Sequence, residues 1–184
     1  MARLFAYGST KAVAQPNLLL PGNFYDTLAV PAKVPAVLDS PTLVVEYGEI
    51  VELVKKGITA NGNEIKRVAS TTTSFGVILR DTAGGLSVNQ NYIEAPRPEQ
   101  ALSIYPLLKE GQYFGVAIPV ESGQTPVVGN DVYVSIVSGS EGSVRTDAST
   151  APVKGVKVDG WVYASTKYKP TNGNGECVII ARKL

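Results

Sequence analysis

The 184-residue sequence contains no histidine, one cysteine, one methionine and one tryptophan. The missing histidine removes the commonest general base, the usual transition-metal ligand and every Ser–His or Cys–His nucleophilic pair. A single cysteine, Cys177, excludes an intrachain disulfide and a thiolate zinc site. It lies in the apolar run ECVIIARKL and reads as a buried structural thiol, not a nucleophile. Net charge is nearly absent as well: 17 Lys and Arg against 16 Asp and Glu leave a formal +1. Such a balance gives no electrostatic invitation to DNA, RNA or anionic lipid, and Lys55-Lys56, Lys66-Arg67 and Arg182-Lys183 read as solvated strand ends. No window approaches the roughly 18 apolar residues of a membrane span. The opening MARLFAYGSTKAVAQ has Arg3 early and Ala12-Val13-Ala14 where cleavage would fall. Gly8-Ser9-Thr10-Lys11, however, interrupts the continuous apolar stretch of about 7–15 residues that a signal peptide needs. The expectation is a chain made in the cytoplasm.

No other chemistry fills the gap left by histidine. The 16 acids are scattered, mostly at turns (Asp39, Asp81, Glu121, Asp131, Asp147, Asp159), where aspartate hydrogen-bonds nearby backbone. Glu46 with Glu49, or Glu94 with Glu99, could form a glycosidase-like pair, but the sequence supplies no positioned partner. Nothing resembles an EF-hand. Gly8-Ser9-Thr10-Lys11 uses the letters of a phosphate loop without its order or preceding strand. Thr71-Thr72-Thr73-Ser74 reads as a strand edge. The inventory predicts a binding or structural protein with no catalytic residues, metal or cofactor. Trp161, beside Val162 and Tyr163, is either the core anchor of a last hairpin or a stacking platform for a sugar or partner surface.

What the sequence does have is turns and short apolar strands. Its 18 glycines and 12 prolines make about one residue in six, above the usual roughly 12%. In YFGVAIPVESGQTPVVGNDVYV (113–134), Phe114, Val116, Ile118 and Val120 alternate with Tyr113, Gly115, Ala117 and Pro119. Val132, Val134 and Ile136 then alternate with Asp131, Tyr133 and Ser135. A period of two sets one face inward. TLVVEY, EIVELVK, SFGVILRD and GECVIIARKL are also strand-like, although EYGEIVELVKKG could pass for a short helix and ALSIYPLLKEG is ambiguous. Asn61-Gly62 and Asp159-Gly160 are hairpin signals. The expected fold is all-β: a small β-barrel or β-sandwich body of about eight to ten strands, spanning 43–184, with an extended N-terminal arm.

Residues 1–42 form that arm. Pro16, Pro21, Pro31, Pro35 and Pro41 leave no room for a long helix or a central strand. Yet Leu18, Leu19, Leu20, Phe24, Tyr25 and Leu28 are too apolar for a solvated linker. These six anchors must be buried, either on the protein's own body or on a neighbouring subunit, since extended anchor peptides are a recurring recognition mode.

The order of segments carries a resemblance. Gly76-Val77-Ile78-Leu79-Arg80-Asp81, the stretch Leu108 through Val120, the strand Gly129 through Val134 and a short apolar C-terminal strand follow one another. This succession resembles the capsid cement, or decoration, proteins of tailed bacteriophages over roughly residues 45–184. Asn130 is inserted between Gly129 and Asp131, and Pro119 falls inside the second strand, which suggests an edge or bulge there. Residues 1–42 match the family's habit of an extended N-terminal arm. The resemblance implies a virion protein on the outer surface of the head that fastens major capsid proteins together against internal DNA pressure. Its partners would be the major capsid protein and itself, as a homodimer or homotrimer, with no nucleic acid or membrane. Two other classes stand beside it: another virion or surface β-module (tail, baseplate or carbohydrate-binding domain), and a carboxylate-dependent hydrolase.

Overall fold

The structure is a computed structural model, and it describes residues 20–23, 34–38, 43–55, 63–80, 102–107, 115–149, 151–171 and 175–183. Ten strands make up its regular structure, and no helix occurs among the described residues. They are β1 (Val34–Leu38), β2 (Ile50–Lys55), β3 (Asn63–Lys66), β4 (Phe75–Ile78), β5 (Leu102–Pro106), β6 (Val116–Pro119), β7 (Asp131–Ser135), β8 (Val144–Arg145), β9 (Gly155–Tyr163) and β10 (Cys177–Arg182). The all-β expectation holds, and the ambiguous EIVELVK and ALSIYP segments are both strands.

The first five strands close on themselves in the order β1-β3-β2-β4-β5. Closure comes from β1, which pairs with β5 antiparallel through Val34↔Ile104 and with β3 in parallel through Val37↔Glu64. Alternation then gives the barrel two apolar surfaces. Ala36, Val45, Val51, Ile65, Ile78 and Ile104 form one buried cluster inside the ring. Ile50, Val77 and Tyr105, neighbours across β2, β4 and β5, belong to a second, larger cluster.

That second cluster joins the two halves of the molecule. The last five strands form a sheet in the order β6-β10-β9-β7-β8. Val116, Ile118, Val132, Val134, Trp161, Tyr163, Val178 and Ile180 project from it onto the barrel's outer row. Face-to-face packing of two such layers is sandwich-like. The body therefore combines both expected forms: a small barrel docked on an open sheet. Each fully buried Val or Ile contributes about 1.5–3 kcal/mol relative to exposure, so this shared core binds the halves into one unit.

Two local readings are corrected. Asp159-Gly160 is not a hairpin turn, because both residues lie inside the continuous strand β9. Gly160 has φ 81°, and the β7–β9 register jumps from Asp131↔Val162 to Tyr133↔Lys157. The pair makes a bulge, which demands the same positive-φ glycine as a tight turn. The second correction concerns the prolines, which do not keep residues 1–42 out of the sheet. Val34–Leu38 is paired on both sides, with Pro35 opposite Ser103 of β5. Pairing with β3 runs through Val37 and Leu38, two and three positions beyond Pro35 in the same strand. Pro119, by contrast, sits where its chemistry suggests, at the end of β6 on the rim of the second sheet.

Candidate interaction surface

Of the six apolar arm residues, only Leu20 lies among the described residues, and it is buried; Leu18, Leu19, Phe24, Tyr25 and Leu28 lie outside them. Leu20 leads into a turn, Pro21-Gly22, that sits in the seam between the barrel and the second sheet. Gly22 N–H donates to Ala117 O of β6 at 2.8 Å, and Ala117 N–H donates to Asn23 O at 3.0 Å. On the other flank, Arg80 N–H donates to Gly22 O at 3.2 Å. The segment thus occupies both outward main-chain groups of Ala117 on the rim strand β6 and ties them to the end of β4.

The seam accepts only a bare backbone at this point. Gly22 has φ +83°, and a Cβ there would lie 2.8 Å from both Arg80 N and Ile78 O. Facing it, Gly48 has φ +84°, and its Cβ would lie 2.6 Å from Pro21 Cβ and 2.7 Å from Gly22 N. Two glycine turns pack back to back, each in a conformation and a space that exclude side chains. Behind them, the Arg80 guanidinium lies over the Tyr47 ring at 4.7 Å, and burial lowers its pKa from the ordinary arginine value.

A second clasp crosses the same seam farther along. Ile50 N–H donates to Gly142 O at 2.8 Å. Arg67 reaches Glu49 Oε2 at 2.7 Å through Nη1, and through Nη2 it donates to Val44 O. Burial raises the Glu49 carboxyl above the ordinary carboxylate range, opposed by the Glu46 amide and Arg67, which both favour the charged form.

Arg145 forms an ionic cluster that no local sequence pattern announces. It is buried on β8, with Nη1 3.5 Å from Glu121 Oε2 and Nη2 3.2 Å from Asp147 Oδ1. Gly155 leaves room for it, since a Cβ there would lie 2.6 Å from Arg145 Cδ. Buried charges persist only when paired, and these contacts organise β8 and its loop.

The residues weighed for chemistry resolve differently. Trp161 is 1% exposed and meets Tyr105 edge-on, with ring centroids 6.0 Å apart at 83°. It anchors the core between the two layers and offers no stacking platform. Cys177 is fully buried, and burial pushes its thiol pKa up to about 12. Glu46 and Glu49 are not aligned as an acid pair, because Glu49 Oε2 accepts from the Glu46 amide at 2.9 Å. Thr72 closes a turn, with Oγ1 accepting from Ala69 N–H at 2.9 Å and donating to Glu52 Oε2 at 2.8 Å. Glu94 and Glu99 lie outside the described residues. Among the described residues, no group of three or more Cys, Asp or Glu converges as metal ligands would. No helix among them is long and apolar enough to cross a membrane.

No family model matches the sequence, and no curated protein does. Among solved structures, the chain is similar to one from the capsid of Myoviridae phage XM1. The two share a TM-score of 0.56 and 14% identity, over 97% of this chain and 98% of that one. At that identity the likeness is one of fold, and it extends over nearly the whole of both chains.

Proposed function

We propose that this protein is a structural component of a tailed-phage virion, one that binds the outer surface of the head and cements major capsid proteins together. The observation that carries this reading is the near end-to-end fold likeness to a chain of a Myoviridae phage capsid. The order of strand segments that resembles phage cement proteins supports it independently. So does the chemistry: charge is close to neutral, as suits a protein that faces coat protein and not nucleic acid. An array of such copies resists outward pressure cooperatively. Each interface of the standard ~1,600 Å² is modest, and multivalency across a lattice makes the sum strong. Association with itself as a homodimer or homotrimer belongs to the same proposal.

The arm supplies the contact. Val34–Leu38 is a barrel strand and Leu20–Asn23 is docked on the body, which leaves the stretch before Leu20, with Leu18 and Leu19, and the connection carrying Phe24, Tyr25 and Leu28 as the proposed contacts with the shell. The competing β-module reading loses its main support, since Trp161 is in the core. The test is addition of purified protein, with and without residues 1–19, to expanded heads that lack it, followed by sedimentation. The full chain is expected to pellet with the heads and the truncated chain to stay in the supernatant. Equal pelleting would remove residues 1–19 from the mechanism, and no pelleting of either would remove the head.

A further inference from the structure

The seam around Gly22 has the properties of a peptide-binding site. Its walls come from three separate places in the fold: the Gly48 turn before β2, the Ile78–Arg80 end of β4, and Ala117 on β6. The segment inside is held by main-chain hydrogen bonds on both flanks, at 2.8, 3.0 and 3.2 Å. Leu20, at its start, is 7% exposed. Main-chain hydrogen bonding to a strand edge is one recurring mode of peptide recognition. Selectivity is built into the walls, because Arg80 N, Ile78 O and Gly48 N all lie within 3.0 Å of where a Cβ of residue 22 would be. The segment also makes no contribution to ring closure in the barrel, which is completed by β1.

We infer that this seam is a socket for a Leu-Pro-Gly-Asn peptide, a separable ligand that a second copy of the chain can supply in place of the chain's own segment. Within one chain the linkage to the body keeps the segment at an effective concentration in the mM range, so the socket of an isolated copy is filled from within. In an array, a neighbouring copy held nearby competes on similar terms, and exchange of the segment couples one body to the next. The socket is independent of whether the array is a phage shell.

The test uses the full chain and two variants altered only in the segment, Gly22→Ala and Leu20→Asp, with a fluorescein-labelled peptide covering residues 15–26. Hydrogen exchange is read at the Ala117 and Arg80 amides, and peptide binding by anisotropy. Both variants are expected to fold, to lose protection at these two amides, and to bind the peptide at least about tenfold tighter than the wild type, whose socket is occupied from within. Bound peptide restores the protection, and a peptide carrying Gly22→Ala does not bind. The proposal is overturned if protection is unchanged in both variants, or if the peptide binds all three proteins alike or none of them. It is equally overturned if both variants fail to fold, since the segment would then be part of the core and not a separable ligand.

Discussion

Replacing Gly76 by alanine tests the interior of the barrel. Gly76 lies on β4 with its register partner Val51 on β2, and Ile104 of β5 is fully buried close by. A methyl group at residue 76 would meet Ile104 Cγ2 well inside van der Waals separation. Neither residue can move freely, because the ring is closed on both sides of them. Overpacking of this kind costs about 1–3 kcal/mol. Ile104→Ala alone leaves a cavity and costs about 2–5 kcal/mol. In the double variant the new methyl group occupies part of the space that Ile104 vacates. Its cost should therefore fall short of the sum by about 1–2 kcal/mol, within the coupling range of contacting residues. Urea denaturation of the four proteins gives the cycle, provided the slopes agree. At this chain length each kcal/mol also moves the melting temperature by about 2–4 °C. If the two costs add to within about 0.5 kcal/mol, Ile104 does not fill the space over Gly76 and the packing described for the ring is wrong.

Cys177 should be inert in the folded protein. With its thiol pKa pushed up to about 12, only about one molecule in ten thousand is thiolate at pH 8, so iodoacetamide labelling should require denaturant; rapid labelling of native protein would contradict the burial. Glu49 should leave a mark on the pH dependence of stability. Its folded-state pKa is raised from 4.5 by burial, so the folded state holds the proton more tightly than the unfolded chain. Stability then falls as pH rises through the window between the two values. The wild type should accordingly lose stability relative to Glu49→Gln as pH rises through and above about 4.5. A relative gain with rising pH would contradict the assignment.

Most of the body could be read from local pattern. Alternation in VAIPV and DVYVS placed Val116, Ile118, Val132 and Val134 in the core, where they are, and Pro119 marked the rim of a sheet. The apolar run around Cys177 gave a buried strand. What local pattern could not give was partnership between distant segments. Asp159-Gly160 offers the same backbone chemistry to a turn and to a bulge, and only the pairing of β9 with both β7 and β10 decides between them. Pro35 lies inside β1, whose partners β3 and β5 are distant in the chain, and no neighbouring residue announces that pairing. Arg145 looks like a surface residue in sequence, and its burial depends on Glu121 and on Gly155. The candidate surface was legible only as a list of apolar anchors, of which Leu20 is the one whose place is described. The Gly22–Gly48 contact joins two ordinary glycines that lie 26 positions apart in the chain, and nothing short of the fold pairs them.

The most direct test of the structural role is the copy number of this protein in purified particles. Quantitative mass spectrometry of intact heads should find it in a fixed ratio to the major capsid protein, set by the lattice and unchanged between preparations. Particles that contain none of it, or only a variable trace, would contradict the account.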